Sequence, residues 1–99
     1  MKVKRMLAID KKLFERLNDV CEKNDFYRNS FVTTIIQDNI DLMNTFNTSF
    51  VRVRQKEKKA RFQIYIEEDL YNKIEGKKIY KIERILDIVL GGYENETNK

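Results

Sequence analysis

Between Arg61 and Ile66 apolar and polar residues alternate strictly, with Phe62, Ile64 and Ile66 on one side and Arg61, Gln63 and Tyr65 on the other. That is the period of a strand with one buried face. Glu67, Glu68 and Asp69 follow, and Leu70 and Ile74 then recur at helical spacing, so a short strand turns at once into a helix with acids at its start. Val3 to Ile9 alternates in the same way, Val3, Leu7 and Ile9 against Lys4, Met6 and Ala8, with Arg5 interrupting the apolar side. Asp10 stands where an N-cap carboxylate would accept free backbone N–H groups. From Lys11 to about Lys23, Leu13, Leu17, Val20 and Cys21 form one apolar stripe, and Asn24 and Asp25 supply turn chemistry at its end. A second helix from about Asn29 to Met43 has Val32, Ile35, Ile36, Ile40 and Met43 on its buried side.

The pattern then returns. Ile66 takes the place of Ile9, Glu67 that of Asp10, Leu70 and Tyr71 those of Leu13 and Phe14, and Ile74 that of Leu17. The first helix of this second copy reads as about one turn shorter, with Gly76 helping to end it. Ile79 to Leu90 overlays Phe26 to Gln37, matching Val32, Ile35 and Ile36 with Ile85, Ile88 and Val89. The chain thus divides into a first repeat over 1–43, a linker over 44–59, a second repeat over 60–92 and a polar tail over 93–99, with the end from the paired glycines at Gly91 expected to be frayed. The linker turns basic in its second half, and its FVRVR segment could pair with RFQIYI as a competing hairpin.

Composition narrows the options. The chain has 99 residues, 41% hydrophobic, which allows two small halves only if they share a core. A formal charge of +4 is compatible with a polyanionic partner without proving one. One cysteine and no histidine remove internal disulfides, Cys/His metal sites and His-based catalysis. Cys21 lies on the apolar stripe and reads as a buried thiol. With no Gly-rich phosphate loop, metal cluster or triad partner, the expectation is a protein without cofactor that is not an enzyme. No apolar run reaches membrane-spanning length and no signal-peptide h-region opens the chain, so an intracellular protein without a membrane partner is expected.

A strand followed by two helices, with polar residues at alternate strand positions and a basic residue opening the second helix, resembles the ribbon-helix-helix superfamily of DNA-binding proteins, the Arc, MetJ and CopG kind. Two copies in one chain are similar to the tandem form found among small transcription regulators of archaeal viruses. The resemblance implies a mainly α fold with a two-stranded antiparallel β-ribbon, the two repeats forming an intramolecular pseudo-dimer. Independently of it, a lone strand with two short helices buries too little apolar area to offset its ordering entropy, whereas two copies can pack four helices on one ribbon. Fusion makes their association intramolecular, leaving higher-order association on DNA open.

The resemblance assigns base contacts to Lys4, Met6 and Ala8 in the first strand and Arg61, Gln63 and Tyr65 in the second, with double-stranded DNA as partner. Arg can pair bidentately with guanine and Gln with adenine, whereas Met6 and Ala8 can at most meet thymine methyls. The expected core of the site is therefore non-palindromic, with the second strand supplying most of the readout. Phosphate contacts are expected at the starts of the second helices, from Tyr27, Arg28 and Asn29 and from Tyr80 and Lys81. The superfamily usually has Ser or Thr where this chain has Tyr27 and Tyr80; both tyrosines suit packing at a helix start equally well, and Asn29 or Ser30 could cap instead. Lys2, Arg52, Arg54, Lys56, Lys58 and Lys59 would add non-specific attraction. An ordinary solvated strand face, or a protein-interaction module that keeps the fold without reading DNA, is the competing expectation.

Overall fold

The computed structural model describes residues 1–47 and 58–97. Arg52, Arg54, Lys56 and the FVRVR segment lie outside the described residues. In chain order the elements are β1 (Lys2–Asp10), α1 (Lys11–Asn24), α2 (Arg28–Met43), β2 (Lys59–Glu67), α3 (Glu68–Lys73) and α4 (Lys78–Thr97). Over the described residues the fold is mainly α, four helices on one two-stranded antiparallel sheet, with the strand-helix-helix unit present twice in a tandem pseudo-dimer.

Alternation dictates the ribbon. Leu7 and Ile9 from β1 and Phe62, Ile64 and Ile66 from β2 are buried on its inner face, each worth about 1.5–3 kcal/mol when fully covered. Arg5 does not break β1: it sits half-buried on the inner side, its guanidinium 5.2 Å from the Tyr71 ring centroid, so an aromatic face replaces the missing apolar contact. The register pairs Lys4 with Tyr65, Met6 with Gln63 and Ala8 with Arg61. Each β2 residue is the repeat counterpart of a β1 residue 57 positions earlier, so Met6 pairs with its own counterpart, Gln63. The pseudo-two-fold axis therefore passes through that pair.

Helices from both repeats close over the inner face. In α1, Leu13, Leu17, Val20 and Cys21 are buried as expected, and Asp10 caps the helix, its Oδ2 accepting from the Leu13 N–H at 3.4 Å. Asp25 terminates it in the left-handed region, φ 58°, a conformation that Asp tolerates better than most residues. In α2, Val32, Ile35, Ile36 and Met43 are buried, whereas Ile40 is half-buried. The backbone kinks at Asn39, whose side chain donates to the Ile35 carbonyl at 2.8 Å, the back-bonding by which a mid-helix Asn competes with the helical ladder. One core cluster takes residues from both repeats, including Leu17 and Val32 from the first and Ile64, Ile74 and Leu86 from the second.

Three expectations fail, each for a physical reason. The first helix of the second copy is shorter by far more than one turn: α3 has 6 residues where α1 has 14. The second helices consequently correspond at a spacing of 50, Arg28 with Lys78 and Ile35 with Ile85, so Ile36 matches Leu86 rather than Val89. An apolar stripe spaced by threes and fours overlays on itself when slid by three, which is the shift made. Ile88, expected inside, is 51% exposed, and Ile82 and Leu86 are buried instead. Nor is the tail frayed from Gly91: α4 continues through Gly92 to Thr97. Tyr93 meets Phe26 and Phe31 edge-on at 5.9 and 5.5 Å, and Arg16 holds Glu94 at 2.6 Å. These contacts offset the roughly 1 kcal/mol that each helical glycine costs relative to alanine. No helix among the described residues is long and apolar enough to cross a membrane.

Candidate nucleic-acid interface

The outer face of the ribbon carries the rows Lys4·Tyr65, Met6·Gln63 and Ala8·Arg61, flanked by Lys2·Glu67 and Asp10·Lys59. All six residues expected at base edges share this face. Five are exposed, Met6 and Tyr65 by about half, and Ala8 is half-buried. The Lys4 ammonium lies 5.6 Å from the Tyr65 ring centroid across the strands. Among the described residues, the side chains of Arg61 and Gln63 take part in no hydrogen bond, ion pair or ring contact.

One edge of β2 is braced by the other repeat's helix. The Asn29 side chain donates to the Tyr65 carbonyl at 3.2 Å and accepts from the Tyr65 N–H at 2.7 Å, pairing with the backbone as a strand residue would. Its amide is thus occupied in holding the ribbon, and Asn29 does not cap α2. Tyr27 is the N-cap residue, 86% exposed, with no side-chain cap bond. Arg28 folds back over Phe14 and Phe62, 5.2 and 5.1 Å from their centroids, and donates to Asn18 Oδ1 at 3.2 Å.

The corresponding place in the second repeat is not where the sequence overlay put it. Because α4 starts at Lys78, Tyr80 lies within its first turn, half-buried, its hydroxyl accepting from Arg84 at 3.4 Å. Lys81 is 4% exposed, so its stem is packed against the fold and does not reach outward as a surface cation would. The residue equivalent to Arg28 is Lys78, and the resemblance is close: it sits 5.4 Å from the Tyr71 centroid, as Arg28 does from Phe14. Its ammonium also donates to the Tyr71 and Ile74 carbonyls at the end of α3.

The two ends of the ribbon differ in charge. Beyond Asp10·Lys59, α1 opens with Lys11 and Lys12, where the helix dipole disfavours cations, and Lys58 lies alongside, its carbonyl accepting from Lys11 N–H at 3.1 Å. Beyond Lys2·Glu67, the equivalent positions of α3 hold Glu68 and Asp69. There the Met1 amine bonds Glu67 at 3.0 Å, a contact that holds the amine charged above its usual range. Lys11 and Lys12 were not singled out from the sequence, although the repeat alignment already sets them against Glu68 and Asp69.

The topology is that of the broad ribbon-helix-helix class, a ribbon carried by tandem strand-helix-helix units. No family model matches the chain, and neither does any curated protein or solved structure.

Proposed function

We propose that this protein binds double-stranded DNA sequence-specifically and regulates transcription, laying the outer face of its ribbon into the major groove. The observation that carries the reading is the set of outward rows in which Arg61 and Gln63 stand exposed and unengaged among the described residues. A two-stranded ribbon fits the width of the major groove, and guanidinium and carboxamide groups match the edges of guanine and adenine. Lys2, Lys58 and Lys59 add attraction to the backbone, and exposed Tyr27 can donate its phenol to a phosphate. The role is one of binding rather than catalysis.

Selection of bound duplexes from a random pool, followed by a salt titration on the enriched sequence, tests this. Enrichment that persists near physiological salt is expected, with Gln63→Ala relaxing preference at one base pair by about 1–3 kcal/mol and leaving the melting temperature unchanged. Equal loss of affinity for every sequence would remove Gln63 from the readers. Loss of all binding at that salt would favour a protein-interaction module on the same scaffold.

A further inference from the structure

Resting on the reading of the ribbon as a DNA-binding face, we infer that the two halves of the bound site are read unequally, and that the row Ala8·Arg61, not one whole strand, anchors an oriented duplex. In a symmetric ribbon the rows on either side of the axis would be equivalent. Here they are Lys4·Tyr65 and Ala8·Arg61, related through the central pair Met6·Gln63. Each row holds one cation, Lys4 or its repeat counterpart Arg61, but the cations are placed differently.

Lys4 is held against the Tyr65 ring at 5.6 Å, and the Tyr65 backbone is itself clamped by Asn29. An ammonium on an aromatic face is partly satisfied before any ligand arrives. Arg61 faces the small side chain of Ala8, has no partner among the described residues, and offers the planar fork that pairs bidentately with guanine. Direct readout therefore concentrates at Arg61 and at Gln63 on the axis.

The surroundings point the same way. Beside Arg61 stand Lys11, Lys12, Lys58 and Lys59 against the two carboxylates of Asp10 and Glu83, the second 3.7 Å from the Lys59 ammonium, so cations remain in excess. At the opposite end the Met1 amine, Lys2 and Lys4 are balanced by Glu67, Glu68 and Asp69. A polyanion laid along the ribbon meets net attraction at one end and near neutrality at the other, so phosphate contacts and base contacts reinforce each other in one half-site. Lys11 and Lys12 occupy the start of a helix where acids would be more stable, a local cost that such attraction explains.

The test is selection from a random duplex pool by the full chain and by the variants Arg61→Ala and Lys4→Ala. The expected motif has one strongly specified half containing guanine and one weakly specified half. Arg61→Ala should erase that guanine preference and weaken binding roughly ten- to hundredfold, whereas Lys4→Ala should leave the motif intact. The double variant Lys11→Glu, Lys12→Asp gives α1 the acidic opening of α3, so the helix is kept while the dependence of log affinity on log salt becomes shallower by roughly 0.9 per lost phosphate contact. A palindromic motif with equal halves, or equal damage from Lys4→Ala and Arg61→Ala, would overturn the inference and leave DNA reading intact. Failure to enrich any sequence would instead remove the reading on which it rests.

Discussion

The first helices of the two repeats solve the same problem by different means. α1 is long enough to bury Leu13, Leu17, Val20 and Cys21, and its hold on the core is apolar. α3 has no fully buried residue of its own; Leu70 and Tyr71 pack half-buried against the core, and Ile74, at its C-cap, is buried in it. What fixes its end is polar: Asn44 donates to the Lys73 carbonyl at 2.8 Å and accepts from the Glu75 N–H at 2.9 Å, and Lys78 donates to the carbonyls of Tyr71 and Ile74. A repeat can thus lose two turns of helix when neighbouring elements satisfy the exposed backbone groups and a longer α4 leans on the surviving α1.

The comparison breaks most severely in the core. Leu17→Ala, at a fully buried site, should destabilise the chain by about 2–5 kcal/mol. Because the core is shared, urea unfolding followed by far-UV circular dichroism and by tyrosine fluorescence should give one coincident transition; two midpoints would show that the repeats fold separately. Leu70→Ala, at the half-buried counterpart of Leu13, should cost clearly less. Next in size is Asn44→Ala, which frees both backbone partners at the end of α3 and should cost about 1 kcal/mol, with hydrogen exchange accelerating at Glu75 while α1 stays protected.

A smaller effect of opposite sign should come from the other lengthened element. A side chain at Gly91 or Gly92 would meet nothing within 4 Å, so Gly91→Ala and Gly92→Ala should each stabilise the chain by roughly 0.4–1 kcal/mol in thermal or urea melts. Smallest is the ionic strut from α1 to α4. Arg16 donates to Asp87 at 2.5 Å and to Glu94 at 2.6 Å, and its hydrogen bond holds the Glu94 carboxyl below the usual glutamate range. A depressed carboxyl contributes stability that is present above its unfolded value and is lost as pH falls through the folded one. Arg16→Met should therefore cost at most about 1 kcal/mol at neutral pH, and the difference from the native chain should vanish in acid. A difference that persisted there would assign the effect to packing of the Arg16 stem.

Much of this was legible in the sequence because it is local. Period-two alternation marked both strands, the stripe of α1 was recovered residue for residue, and Asp10 was recognisable as a cap from its position before an apolar period. What escaped depends on distant partners. Nothing near Asn29 announces that its amide pairs with Tyr65, and a pair of glycines reads as a stop until Tyr93 and Glu94 find Phe31 and Arg16 across the bundle. The matched Tyr27 and Tyr80, each followed by a base, invited an overlay that the true start of α4 refutes and that left Lys81 on a packed face. The charge contrast between Lys11–Lys12 and Glu68–Asp69 was visible in the letters, but it gains meaning only when strand pairing places those residues at opposite ends of one surface.

Fusion of the repeats also changes how such a surface can be altered. In a homodimer every substitution is made twice, so Met6 and Gln63 could never differ at the axis and any gain on one side would be imposed on the other. In this chain each position is written once. A single codon change alters one edge of the ribbon and leaves its mirror position untouched, which lets the chemistry of that face change in steps half as large as a symmetric protein must take.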